Sequence, residues 1–323
     1  MKDTGKAKSP SLFVGSLAKG LKVFEAFEAG HRELGIAEIV ELTGLERSAA
    51  SRLVQTLFKL GYLGQERRSR KYTLSPQVLS IAYSYLRANP IVEVAMPRLV
   101  GLGDVTDTSV SLCMLTGVDI IYAVRLERHE FYYPTGLIGE RQPAYCTSGG
   151  RAILSRLPEE TAIDILQRSN RQKITPSTRT ELEELLTELR TARELSYCVQ
   201  AGEFLLNEIN LAAPVLNASQ TPVAAVVVSR LYREEEKEQF IAHCSAGVEV
   251  RRFPLLVQLH EVRVAQELEG PPIQPQAVGV DQRCQERPPR QQHEVQRAAL
   301  RCPAVAGDER GQGDGRLDRQ GQG

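Results

Sequence analysis

The sequence predicts an α+β chain in two unlike parts: an N-terminal winged helix-turn-helix, and, behind a linker helix, a domain of β-hairpins interleaved with helices. Three observations predict it. Residues 47–60 carry their apolar side chains in one helical stripe, a basic hairpin follows that helix directly, and from about Ile91 the pattern changes to alternating strands, turns and helices.

Residues 1–15 lack apolar periodicity and are expected to be disordered. Ser16 is the expected N-cap of a helix over about 17–28, with Leu17, Leu21, Val23, Phe24 and Phe27 as its apolar face. A second helix, about 36–43, buries Ile36, Ile39, Val40 and Leu42 and ends at Thr43-Gly44, where glycine suits an αL cap. In the next helix Ala50, Leu53, Val54, Leu57 and Leu60 form the buried stripe. Its opposite face holds Ser48, Arg52, Gln55 and Lys59, with Ser51 at the flank and no carboxylate. Arg47 starts the same helix. Such a face can hydrogen-bond base edges or phosphates; a solvated polar face is the plain alternative.

The hairpin weighs against that alternative. Strands are expected to begin at Gly61-Tyr62-Leu63 and to end at Lys71-Tyr72-Thr73-Leu74, with Arg67, Arg68, Arg70 and Lys71 around the tip. Cations there suit phosphate or minor-groove contact. Residues 44–75 carry seven bases against two acids, a local net of +5, in a chain whose 40 basic and 40 acidic residues cancel as a whole. Positive charge is concentrated where DNA would lie.

Ser75-Pro76 opens a linker helix that stops before Pro90. Its apolar residues cover more than one side, which suits packing on another surface, such as a partner subunit. The second domain, 90–268, is expected to hold a helix over 92–102, a hairpin of 109–115 and 119–126, helices over 149–156 and 158–169, a helical repeat from Leu182 to Leu195, strands 211–215 and 223–229, and closing helices over 234–244 and 253–268. Hairpins among helices point to an α+β sensor domain rather than a doubly wound sheet. Residues 269–323 contain no Phe, Trp, Tyr or Lys and are rich in Arg, Gln, Pro and Gly. They are expected to be disordered, and their composition fits read-through in a shifted frame. The domain reading is thus 1–15 disordered, 16–75 winged helix, 76–89 linker, 90–268 sensor and 269–323 tail.

Enzyme chemistry finds little support. The five histidines fall in no metal-ligand pattern, and no phosphate-binding glycine loop or G-x-S-x-G elbow is present. Cys146 beside Thr147 has no identifiable base. The six cysteines show no C-x-x-C spacing, which argues for reduced thiols and against a zinc site. No metal, cofactor or catalytic residue is assigned. No apolar run approaches the roughly 20 residues needed to span a bilayer, and the start of the chain lacks a signal-peptide core, so a cytoplasmic protein without membrane contact is expected.

The chain resembles the IclR family of bacterial transcriptional regulators over roughly residues 16–268. In the first part the resemblance rests on SLAKGLKVFEAF, on TGL followed by SAASRLVQTLFKLGYL, and on YTLSP. In the second it rests on DIIYAVRL, IGERQPAYCTSGGRAIL and INLAAPVLNASQTPVAAVVVS. It implies operator binding by the winged helix, a GAF-like effector-binding domain, and homodimers or homotetramers on palindromic double-stranded DNA. The run YTLSPQVLSIAYSYL is most similar to members that control aromatic-acid catabolism.

By the same resemblance, Tyr145, Thr147, Ser148, Gly149 and Gly150 match an effector-binding loop at a helix start, where backbone N–H groups can capture a carboxylate. Asn210 stands where the family often has a pocket cysteine, Gln200 where some members carry an acid, and Ser229 at a polar position ending a core strand. Asn207 and Ser196 replace usual glycines. From the residues themselves, Arg125 and Arg151 are candidate carboxylate partners, with Arg151 assigned to the surface. Ser111 and Cys113 are candidates to line a cavity or to pack, and Tyr122, Tyr132 and Tyr133 to stack on a ligand or to fill the core. The expected function is a DNA-binding regulator controlled by a small carboxylate effector. The alternatives are a metabolite-binding or catalytic protein whose helix-turn-helix is idle, and a constitutive DNA binder whose pocket is filled by its own side chains.

Overall fold

The computed structural model describes residues 13–27, 30–128 and 138–248. The disorder expected for 1–12, the helix over 253–268, the tail, and Tyr132 and Tyr133 lie outside the described residues.

Helix α1 spans Gly15–Glu25 and is capped by Val14, whose carbonyl accepts from Leu17 and Ala18; Ser16 therefore lies inside the first turn and is not the cap. Val23, Ala26 and Phe27 pack inward, whereas Leu17 and Leu21 are exposed, so the expected apolar face is only partly used here. Helix α2, Ile36–Thr43, begins where the Gly35 amide donates to Glu38 and ends at Gly44 with φ 66°, the left-handed cap that glycine permits. Helix α3, Arg47–Lys59, is capped by Glu46, which accepts from the Ser48 and Ala49 amides. The three helices close on Val23, Phe27, Leu34, Ile39, Ala50 and Val54.

Strands β1, Leu63–Gln65, and β2, Tyr72–Leu74, form the antiparallel wing, and Leu34 bridges to Tyr72. Helix α4, Gln77–Ala88, starts one residue later than the sequence suggests, with Pro76 as the cap and the Ser75 hydroxyl accepting from the Gln77 amide. No α4 side chain is buried, and Leu79, Ile81, Tyr83 and Tyr85 are all more than half exposed.

Asn89 breaks the path. Its side chain accepts from the Ile91 amide and caps α5, Pro90–Thr106, which is longer at both ends than expected. The strands that follow are β3 (Ser109–Thr116), β4 (Asp119–Leu126), β5 (Arg141–Pro143), β6 (Cys198–Ala201), β7 (Glu208–Leu216) and β8 (Pro222–Leu231). They form one antiparallel sheet in the order β5-β4-β3-β8-β7-β6. The hairpins β3–β4 and β7–β8 were legible; the short edge strands β5 and β6 were not.

The two faces of the sheet follow the strand period of two. One face, with Val110, Leu112, Leu211, Val226 and Val228, packs against Leu99 and Leu102 of α5 and against Phe240 and Cys244 of α9 (Lys237–Val248). The other, with Cys113, Ile120, Ala212, Ala225 and Val227, is covered by α6 (Ser148–Leu154), α7 (Glu159–Arg168) and α8 (Leu182–Leu195). The left-handed Ser196 (φ 65°) and Asn207 (φ 62°) stand where the resemblance expects glycine.

Candidate nucleic-acid interface and effector cavity

The outer face of α3 is open. Arg47, Ser48, Ser51, Arg52, Gln55 and Lys59 are all exposed, while Ala50 and Val54 are fully buried beneath them. Burial of the apolar stripe fixes which face is left for contact. Ser48 is the constrained member, since its hydroxyl donates to the Glu46 carboxylate. On the wing, Arg67, Arg68 and Arg70 are exposed. The hairpin closes with Glu66 and Arg70 amides donating to Lys71 and Glu66 carbonyls, and Arg70 takes φ 59°. Lys71 differs from its neighbours: its ammonium lies 2.8 Å from Glu38, whose carboxyl that contact holds below the ordinary range. A phosphate would have to compete with Glu38 for Lys71.

The second site lies on the sheet face under α6. Antiparallel register sets Gln200, Asn210 and Ser229 side by side on β6, β7 and β8, and Ser229 pairs with Ser109 on β3. In the neighbouring row Val227 pairs with Ser111, and Ser111 with Arg125. Residues far apart in sequence thus form one polar patch. The Ser229 hydroxyl donates to the Asn210 side-chain carbonyl at 2.5 Å, the Asn210 amide nitrogen donates to Glu208 at 3.0 Å, and the Gln200 and Asn210 amides lie 2.9 Å apart.

Two hollows share Arg125 and Glu208: an inner one against this patch, and an outer one that also reaches Thr106 and Asp107 at the end of α5 and His243 of α9. The inner one, about 10 Å³, is bordered by Tyr122, Gln142, Thr147, Ser148, Gln200 and Asn210 among others, and has room for about one water. The outer one, about 390 Å³, is bordered by Ser109, Glu127, Ser229, Arg230 and His243 among others, a size ordinary for a small-molecule site. Arg125 and Glu208 border both. The Arg125 side chain is only 9% exposed and its Nε donates to Glu127. Glu208 is half-buried, and loss of water pushes its carboxyl above the ordinary range. Burial likewise raises the Tyr122 hydroxyl, which donates to Gln142 at 3.2 Å.

Several sequence expectations change here. Arg151 is not a surface residue: it is completely buried, bidentate to Glu203 at 2.8 and 2.6 Å, with its Nε donating to the Tyr145 carbonyl at 2.7 Å. Arg179 joins the same carboxylate from the other side. Arg151 therefore ties α6 to the turn before β7, and it borders neither hollow. Tyr145 borders neither hollow; its hydroxyl donates to the Gln172 carbonyl. Gly149 and Gly150 border neither hollow as well. A Cβ on Gly149 would meet Cys113 Sγ, and one on Gly150 would collide with the Ala144 carbonyl, so these glycines serve the close seating of α6. Cys146 is buried and its thiol is pushed up to about 12, which removes it as a nucleophile. Glu208, and Phe204, which also borders the inner hollow, are not among the residues the sequence singles out. The alternation Glu208, Asn210, Ala212 along β7 was the signal for Glu208.

Residues 16–67 match the IclR helix-turn-helix domain, and residues 83–247 match the bacterial transcriptional regulator IclR C-terminal domain. The chain is 33% identical over 234 residues to a Pca regulon regulatory protein of Pseudomonas putida, covering 71% of this chain and 80% of that one. It is 32% identical over 219 residues to a p-hydroxybenzoate hydroxylase transcriptional activator of Acinetobacter baylyi, covering 66% and 80%. An IclR family transcriptional regulator from Brucella abortus superposes with a TM-score of 0.63 at 27% identity, over 76% of this chain and 94% of that structure. These relatives are named as regulators, not enzymes. With both halves matched in order and the sheet, wing and helices in place, the chain belongs to the IclR family of bacterial transcriptional regulators.

Proposed function

We propose that α3 reads an operator in the major groove through Ser48, Ser51, Arg52 and Gln55, with Arg47 and the wing residues Arg67, Arg68 and Arg70 on the backbone, and Lys71 joining when it leaves Glu38. The sensor domain takes a small carboxylate, and the likeness to regulators of p-hydroxybenzoate and Pca genes points to an aromatic acid. The observation that carries the effector reading is Arg125: a largely buried guanidinium, engaged by Glu127 through one nitrogen, opening on a 390 Å³ hollow with a polar floor. Bidentate pairing with a carboxylate is what such a group does best. Ser229 lines the same hollow, and Thr147, Ser148, Gln200 and Asn210 line the small one that shares Arg125 with it.

The exposed apolar residues of α4, with Leu17 and Leu21 of α1, suit pairing of two heads in a homodimer or homotetramer on a palindromic site. The Tyr85 hydroxyl donates to Met114 at 3.0 Å, so α4 touches the β3–β4 hairpin that carries Ser111 and Arg125. An acid that binds two arrangements of this joint unequally would shift the heads. The small inner hollow favours a second reading, a constitutive binder with a self-filled pocket.

Titrating the protein against its own upstream intergenic DNA, with and without a panel of carboxylic acids, separates these. A sequence-specific shift changed by an acid supports the proposal. A specific shift that no acid changes supports the constitutive reading. No preference over random DNA at moderate salt contradicts the operator assignment.

A further inference from the structure

We propose that Glu46 fixes what Ser48 can read: by holding the Ser48 hydroxyl proton it leaves that hydroxyl able only to accept, so the start of α3 selects a base that presents an amino group, adenine or cytosine, and turns away guanine and thymine. The inference rests on the major-groove reading of α3 above and goes beyond it.

A serine hydroxyl has one proton to give and two lone pairs to receive, so a free one tolerates any base edge. Ser48 is not free. Its Oγ donates to Oε2 of Glu46, the residue that caps α3. The same oxygen accepts from the Ser48 amide at 3.1 Å and the Ala49 amide at 3.2 Å, which anchors the carboxylate to the helix start. The Ser48 hydroxyl above all, and then the two amides, hold the Glu46 carboxyl below its ordinary range. Glu46 is therefore ionised at neutral pH, and the proton between the two side chains belongs to Ser48. Hydrogen bonds to a charged acceptor are the stronger kind, so a base does not easily take this proton away.

What remains for DNA is the pair of lone pairs on Ser48 Oγ. Glu46 and Ser48 are both exposed, and the first turn of a recognition helix is the part that meets base edges. In the major groove adenine N6 and cytosine N4 are donors, whereas guanine O6 and N7 and thymine O4 are acceptors. A keto oxygen brought to Ser48 sets lone pair against lone pair, with the Glu46 charge behind it. Oε1 of Glu46 accepts no hydrogen bond among the described residues and pushes the same way. Arg52 lies one turn further on and has only donors, which suits guanine. The helix thus carries an acceptor-only reader and a donor-only reader one turn apart.

The test is selection of binding sites from random duplex DNA by the full-length protein, followed by titration of the selected site with each of the four base pairs at every position. Wild type, Ser48→Ala and Glu46→Ala are compared. In the wild type, one position of each half-site is expected to bind about tenfold or more tightly with adenine or cytosine on one strand than with guanine or thymine. Ser48→Ala keeps Glu46 on both amides and should abolish the preference at that position alone. Glu46→Ala frees the hydroxyl proton and should admit guanine or thymine there. A selected site with no such position, a preference that survives Ser48→Ala, or one that Glu46→Ala leaves unchanged overturns the inference and leaves the operator reading intact. Enrichment of no sequence at all overturns the operator reading and this inference with it. Wild type and Ser48→Ala decide the matter even if Glu46→Ala, which loses the helix cap, fails to fold.

Discussion

The DNA-binding head and the effector domain both depend on arginines, but they use them in opposite ways. Arg52 and Arg67 stand in solvent on a helix face and a hairpin tip, free to meet a partner. Arg151 is sealed in the core, with its guanidinium bound to Glu203 across 52 residues and to the Tyr145 carbonyl. Arg125 lies between these extremes, mostly buried yet opening on a hollow. The difference teaches that an arginine's role is set by what the fold leaves its guanidinium facing: solvent, a hollow or a buried carboxylate. A buried charge sealed against a carboxylate is architecture; one that opens on a hollow is a binding group.

The largest expected effect tests the architectural end. Arg151→Met leaves Glu203 buried with Arg179 alone, and should cost about 3 kcal/mol or more in urea denaturation. A loss below about 1 kcal/mol would break the distinction. Next, Gly150→Ala forces a Cβ against the Ala144 carbonyl and should destabilise by about 1–3 kcal/mol, whether or not an acid is present. Unchanged stability with weakened acid binding would return Gly150 to the ligand loop.

At the binding end, Arg52→Ala should cost roughly 1–3 kcal/mol of operator affinity if the side chain pairs bidentately with a base. Unchanged affinity would remove it from the reading set. The smallest effect compares two wing cations. Arg67→Ala should reduce the salt dependence of DNA binding by about one phosphate contact, and Lys71→Ala by less, because Glu38 already holds the lysine. Equal changes in slope would show that the Glu38 contact opens freely on DNA.

The head was legible because its logic is local. The α3 stripe repeats within four residues and Gly44 ends α2 through its own backbone, so the helix limits fell within a residue of the structure. Where the local signal was wrong, the backbone explains it: Val14 offers its carbonyl to the first turn of α1, and Ser16 is left inside. Arg125 and Tyr122 were legible as candidates from the residues themselves, but Thr147, Ser148, Gln200, Asn210 and Ser229 only through resemblance. Arg125 and Ser229 come from strands about a hundred residues apart that meet through β3. No periodicity announces that Glu203 will reach Arg151, and the short edge strands β5 and β6 carry too few residues for alternation to register. The Gly149-Gly150 pair reads as part of a carboxylate-binding helix start until the positions of Cys113 and Ala144 show how closely α6 is seated.

The central claim is that the acid held by Arg125 controls the grip of α3 on DNA. The most direct measurement is the affinity of Arg125→Ala for the upstream operator, titrated with and without an acid to which the wild type responds. The account predicts specific operator binding that the acid no longer changes. An acid response equal to that of the wild type would contradict it.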